Sequence, residues 1–312
     1  MKVNKSKYFR ISLTDNCNLN CYFCHNEGQE RSKSLKAFLS ADDIIWTAQC
    51  AKVNGYSKFK LTGGEPSRHP EIIQIIKGIS DLQVEDLSMI TNGYKLYDNA
   101  MHYKNAGLHR LNVSLYTLNP MKFKKKNGGS ALTLKRVING IDEALKIGFT
   151  NMKLNYVWDG VDNYNDFMEI CDFSGKRSLT VVLLPIMAYK NVANQEEITL
   201  MELSQLLVRI GVTNKEVIID NEGIKKELVT LNSGAKILIR LEELKEKYPY
   251  NHCITCESKS ECREGIFPTR LSAKGILYPC LADTGNSITL VRAIKMRDQA
   301  AIQSAFQMIR EY

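Results

Sequence analysis

The chain has 312 residues, 44% of them hydrophobic and 24% charged, which is the composition of a folded protein with a sizeable core and not of a disordered chain. Its formal net charge of +8 suits an acidic or phosphorylated partner without naming one, and no aromatic residues interleave with base-reading motifs, so nucleic acid is not expected. The basic start "MKVNKSKYFRISL" carries no apolar signal core and no 18-residue apolar run follows, so the expectation is a cytoplasmic protein with no membrane partner.

In chain order, "YFRISL" (8–13) alternates like a strand. "SADDIIWTAQCAKVNG" opens on an N-cap serine with early acids, keeps helical apolar spacing and stops at Gly55. "KFKLT" (58–62) predicts a short strand ending in Gly63-Gly64, and "HPEIIQIIKGIS" a helix with proline near its first turn. "DLSMITNG" reads as a strand, "YDNAMHYKNAG" as a helix and "HRLNVSLY" as a strand. The basic run "MKFKKKNGG" (121–129) is expected to be a solvated loop. "ALTLKRVINGIDEALKIG" is a helix, "NMKLNYVW" a strand, "NYNDFMEICDFSG" a helix and "LTVVLLPIM" a strand. Strand and helix thus alternate at about 25–35 residues per unit, the pattern of parallel βα units. Beyond them come the helix "TLMELSQLLVRIG", a pair of strand-like runs to about residue 240, a cysteine-bearing loop with the hairpin pattern "TRLSAKGILYPC", and one final helix over "ITLVRAIKMRDQAAIQSAFQMI".

Nine cysteines are present, and in a reducing compartment their clustering points to metal or catalysis rather than disulfides. Cys50 and Cys171 sit in helical patterns and are expected to be buried packing residues. The others form two groups, Cys17, Cys21 and Cys24 near the start and Cys253, Cys256, Cys262 and Cys280 near the end. In C-x3-C-x2-C one loop must wrap one metal centre. Zinc would need a fourth ligand, for which His25 is the local candidate, whereas three thiolates on a 4Fe–4S cluster leave one iron open for an exogenous ligand. The loop follows the first strand, at the end where βα barrels assemble their sites. "GGEP" (63–66) follows the second strand, its glycines permitting close backbone approach and Glu65 offering a carboxylate to an ammonium group. "TNG" (91–93) follows the third.

Cys17-x3-Cys21-x-Phe23-Cys24 followed by Gly63-Gly64-Glu65-Pro66 resembles the radical S-adenosylmethionine (SAM) superfamily. The resemblance implies an α/β fold, a partial (β/α)6 TIM-type barrel, with the three cysteines holding the SAM-binding 4Fe–4S cluster. It also implies Phe23 beside the adenine, residues 63–66 at the methionyl amino group, and an electron donor such as flavodoxin or ferredoxin. "RISLTDNCNLNCYFCHNEG", "LTGGEP", "SMITNG", "AGLHRLNVSLYTLNP", "MKLNYV" and "TRLSAKGILYPCL" run in order through the chain, and together they are similar to the GTP 3′,8-cyclase family of molybdenum-cofactor biosynthesis. By motif position that likeness implies that Thr91, Asn92 and Ser114 lie near SAM, that Asn155 lies near its adenosine, and that Arg10, Lys60, Lys153 and Arg270 face a phosphorylated substrate. It further implies an auxiliary 4Fe–4S cluster on Cys253, Cys256, Cys262 and Cys280, so two clusters in all. The domain reading is a barrel core over 1–195 and an extension over 196–312.

The chain departs from the cyclase pattern on the substrate side. Four tail cysteines could ligate every iron of a cluster, or could make a zinc ribbon. Tyr116 stands where relatives carry an acid, Pro268 where they carry an arginine, and the chain ends "MIREY" without their glycine pair. The expected function is hydrogen abstraction from a small, nucleotide- or nucleoside-derived substrate, leading to C–C bond formation or rearrangement. A peptide-modifying maturase, the GTP 3′,8-cyclase itself and a non-enzymatic zinc protein are the alternatives.

Overall fold

The computed structural model describes residues 8–24, 39–160, 163–186, 200–219, 225–239, 268–281 and 286–311. Strands β1 (Tyr8–Ser12), β2 (Lys58–Thr62), β3 (Asp86–Thr91), β4 (Arg110–Ser114), β5 (Lys153–Trp158) and β6 (Thr180–Pro185) lie side by side in chain order, all parallel. Helices α1 (Ala41–Val53), α2 (Ile72–Asp81), α3 (Leu96–Asn105), α4 (Pro120–Asn127), α5 (Ala131–Lys146) and α6 (Tyr164–Gly175) occupy the crossovers. This is the partial (β/α)6 barrel, and its sheet does not close.

Each element has a local cause. Ser40 caps α1, and its hydroxyl and the Asp43 carboxylate answer each other's backbone N–H groups. In α2, Ile72, Ile75, Ile76 and Ile79 form one buried stripe, each adding about 1.5–3 kcal/mol of hydrophobic stabilisation. The strands follow the two-residue period. Phe9 and Ile11, Phe59 and Leu61, Leu87 and Met89, and Leu111 and Val113 are fully buried against the helices. The residues between them, Arg10, Lys60, Ser88 and Asn112, therefore point to the inner face. A closed (β/α)8 barrel fills that interior with branched apolar side chains; this open sheet lines it with charge.

Residues after 196 lengthen the same sheet at both edges. After α7 (Leu200–Arg209) there are three strands where the sequence suggested two: β7 (Val212–Ile219), β8 (Lys225–Leu231) and β9 (Lys236–Ile239). β9 pairs parallel to β6, and β8 and β7 fold back antiparallel from it. At the other edge β10 (Thr269–Leu271) pairs parallel to β1, and β11 (Ile276–Tyr278) and β12 (Ile288–Thr289) follow antiparallel. The expected last helix is two, α8 (Val291–Lys295) and α9 (Gln299–Glu311). Arg297 between them adopts φ 54°, and the Asp298 side chain accepts the Ala301 N–H to start the second.

The run at 121–129 is helix α4 and not a loop. Asn119 caps it, Pro120 occupies its first turn and Gly128 ends it at φ 71°. Lys122, Lys124 and Lys125 face water while Phe123, Lys126 and Asn127 turn inward. Cys50 and Cys171 are buried, and burial pushes the Cys171 thiol up to about 12. No helix among the described residues is long and apolar enough to cross a membrane.

Candidate active site

The cysteine loop leaves the C-terminal end of β1 and is stitched to the loop after β2 by backbone alone. Gly64 donates to the Thr14 carbonyl at 2.6 Å and Glu65 to the Asn16 carbonyl at 2.9 Å. A Cβ on Gly63 would stand 2.3 Å from the Thr14 oxygen, and one on Gly64 2.4 Å from the Asn16 oxygen. Gly63 also needs its φ of 138°. The two glycines are thus required by the contact between loops, before any ligand is considered.

Glu65 turns its carboxylate inward. Oε1 accepts the Thr91 hydroxyl at 2.6 Å and the Ser67 N–H at 3.1 Å, and Oε2 accepts the Asn92 N–H at 2.7 Å. The side chain is buried, and burial outweighs these hydrogen bonds and raises its pKa. The carboxylate clamps the loop after β3, a role the sequence did not show, and it accepts the Thr91 hydroxyl. Asn92 carries the connection on: its amide donates to Asn18 Oδ1 at 2.9 Å and lies 3.9 Å from Cys17 Sγ. Cysteine loop, GGEP and TNG form one hydrogen-bonded unit. Arg68, absent from the sequence reading, donates to Asn16 in the same unit.

The three thiols gather round one phenol: Tyr116 feels the charges of Cys21, Cys24 and Cys17, and burial first and those sulfurs second push its pKa up. Its ring meets Phe23 edge-on with centroids 4.7 Å apart, and its hydroxyl is bonded to Ser114. Cys17 and Cys21 are half-buried, Cys24 is exposed, and none of the three is in a disulfide. Among the described residues no three His, Cys, Asp or Glu side chains close on a single metal ion. A 4Fe–4S cluster does not require such a grouping, because each thiolate binds a different iron. An all-sulfur donor set with amide N–H groups directed at Cys17 and Cys21 fits that cluster. His25 lies outside the described residues.

Below this unit the inner face carries the basic side chains. Arg270, Arg10 and Lys60 stand in register on β10, β1 and β2, followed by Ser88 on β3 and Arg110 on β4. In-register neighbours are about 5 Å apart, where like charges repel. Asp86 takes Arg110 in a two-pronged ion pair. Lys60 bears the consequence: burial first, then Arg10 and Arg110, bring its pKa down to about 7. Lys153 is lowered by burial, then by Arg110 and Lys226. Asn155, one step along β5, accepts the Asn112 amide at 3.1 Å, and Ser114 stands in register with it. The structure thus groups Arg10, Lys60, Lys153 and Arg270 on one wall, and adds the ion-paired Arg110 and Asp86, which sequence reasoning missed because only strand register brings them beside Lys60.

Strand direction fixes where the tail cysteine lies. Tyr278 pairs with Arg270 on an antiparallel strand, so Cys280, two residues on and buried, sits toward the N-terminal end of β1. Cys17 lies beyond the C-terminal end. The basic wall stands between them. Cys253, Cys256 and Cys262 lie outside the described residues.

A family model described as the radical SAM superfamily matches residues 11–174. A Saccharolobus solfataricus protein named "Probable GTP 3',8-cyclase" is 33% identical over 288 residues, 92% of this chain and 86% of that protein. Its namesake from Sulfolobus acidocaldarius is 43% identical over 148 residues, 47% of this chain and 46% of that one. Among solved structures, Streptococcus suis SuiB bound to S-adenosylmethionine superposes with a TM-score of 0.65 at 16% identity, over 96% of this chain and 68% of that chain.

Proposed function

The chain belongs to the radical SAM superfamily, and on that premise we propose that it abstracts hydrogen from a small, phosphorylated, nucleotide-type substrate held inside the barrel. The observation that carries the substrate side is the in-register row Arg270, Arg10 and Lys60 on the inner face. Neighbouring cations on a buried wall repel one another and an entering anion relieves the repulsion; Lys60, held down to about 7 by burial, Arg10 and Arg110, regains its full charge when one binds.

A 4Fe–4S cluster and SAM bound here would supply one-electron chemistry that yields a 5′-deoxyadenosyl radical able to take a hydrogen atom. The protein's part is positional. Cys17, Cys21 and Cys24 hold the cluster, and the Gly63–Pro66 backbone borders the same loop and receives SAM's amino group. Phe23, braced by Tyr116, flanks the adenine; Ser114 and Asn155 face the adenosine from the inner wall. Glu65, Thr91 and Asn92 keep these pieces in register. Arg10, Lys60, Lys153 and Arg270 then anchor the phosphate groups below, so the reacting carbon faces the SAM end. Cys280 marks the far end, where Cys253, Cys256 and Cys262 would complete a second cluster. Hydrogen loss at such a site leads to C–C bond formation or rearrangement.

The test is a panel of nucleotides, GTP included, given anaerobically to reconstituted enzyme with SAM and a reductant. At least one should stimulate 5′-deoxyadenosine formation and itself be consumed. Stimulation by none refutes the substrate class. Turnover of GTP alone would make the chain a cyclase like the relatives it resembles at 33% identity.

A further inference from the structure

Asn127 is the last residue of α4 and is buried. Its amide nitrogen lies 3.0 Å from Cys21 Sγ, across 106 residues of sequence. A thiolate can only accept, so the amide presents its N–H to the sulfur. The rest of the residue is held in place around that contact. Its carbonyl accepts the Asn20 N–H at 2.8 Å, and the neighbouring Lys126 carbonyl accepts the Tyr22 N–H at 3.2 Å. These two bonds strap the cysteine loop on either side of Cys21. Lys126 is anchored in turn by its buried ion pair with Asp159 at 3.3 Å. The amide oxygen of Asn127 is buried with no hydrogen-bond partner. Burying an amide oxygen unpaired is costly, and rotating the amide to relieve it would set that oxygen against the sulfur. The side chain has one useful orientation.

We propose that Asn127 tunes the radical-generating cluster: its N–H to the Cys21 thiolate stabilises the extra negative charge of the reduced state and raises the midpoint potential. Hydrogen bonds to ligand sulfurs are among the determinants of cluster potential. One electron enters from an external low-potential one-electron donor; no bond to Asn127 forms or breaks and no proton moves. Asn127 is a positioning residue acting through Cys21. The inference rests on Cys17, Cys21 and Cys24 being the ligands of the SAM-binding cluster.

The test is a dithionite titration of reconstituted protein, followed by the electron paramagnetic resonance signal that changes on SAM addition, which reports this cluster alone. Asn127→Leu removes the donor and leaves the backbone strap intact. Its potential should fall far enough to make reduction about tenfold less favourable, which is about 59 mV for a one-electron couple. Asn127→Asp, of the same shape with an anion beside the sulfur, should fall further or fail to hold iron. If the leucine variant loses its iron, Asn127→Ser, too short to reach the sulfur, takes its place with the same expectation. Coincident potentials in wild type and variants, or a higher potential without the donor, overturn the proposal. A wild-type protein that assembles no SAM-responsive cluster overturns the ligand assignment beneath it, a separate and distinguishable failure.

Discussion

Replacing Lys60 by methionine should make the protein more stable at neutral pH while impairing anion binding. Methionine keeps the length and apolar stem of lysine and removes only the charge. In the folded chain the Lys60 pKa is brought from 10.5 to about 7 by burial, Arg10 and Arg110. At about 1.4 kcal/mol per unit this is a ceiling of ~5 kcal/mol. The side chain is only half-buried, and solvent reaching it reduces the penalty to about 2 kcal/mol. The sign follows from proton linkage. Between about 7 and 10.5 the unfolded chain binds more protons at Lys60 than the folded chain does, so stability rises with pH across that window. The penalty is complete below the folded value and gone above the unfolded one. Thermal unfolding of the anaerobic holoprotein at several pH values should therefore give Lys60→Met the higher Tm at pH 7, with the difference closing toward pH 10. Lys153, lowered for similar reasons, keeps its share of the slope in both proteins. Calorimetric titration with inorganic triphosphate at fixed salt should show binding weakened about 10- to 100-fold, the value of one charge-assisted hydrogen bond. Parallel stability curves, or a less stable variant with unchanged triphosphate affinity, would refute the reasoning.

Further outcomes follow from the upper site. Alanine at Cys17, Cys21 or Cys24 should abolish SAM cleavage, whereas Cys280→Ala should spare uncoupled cleavage and stop substrate turnover; product chromatography for 5′-deoxyadenosine separates the two. Glu65→Ala strands the Thr91 hydroxyl and the N–H groups of Asn92 and Ser67. At 1–3 kcal/mol per buried unpaired donor, less the relief of removing a buried carboxylate, the net loss is about 3 kcal/mol, read as a lower Tm. Gly64→Ala drives a methyl into the Asn16 carbonyl and should halve, or worse, the iron retained at the first cluster, measured by colorimetric iron content against wild type.

The radical SAM assignment was legible because its carriers are local. Cys17, Cys21 and Cys24 span one short loop, and Gly63-Gly64 stand beside one strand end, so short stretches of sequence carry the whole resemblance. The strands and most helices were legible for a similar reason, since two- and 3.6-residue periods need no knowledge of what they pack against. Helix α4 was missed because its apolar period is too weak to see. Phe123 is its one buried apolar residue, and the lysines around it read as solvated loop.

What the sequence by itself determined is the kind of chemistry and the order of the βα units, both written in near neighbours. The tertiary structure decided how distant residues meet. Strand register brought Arg270 beside Arg10, and the antiparallel turn of β11 sent Cys280 to the end opposite Cys17. Tertiary packing made the Glu65 carboxylate a clamp between loops, and α4 delivered Asn127 to Cys21. Those contacts depend on which strands neighbour one another and which way each face turns, and a linear period carries no record of either.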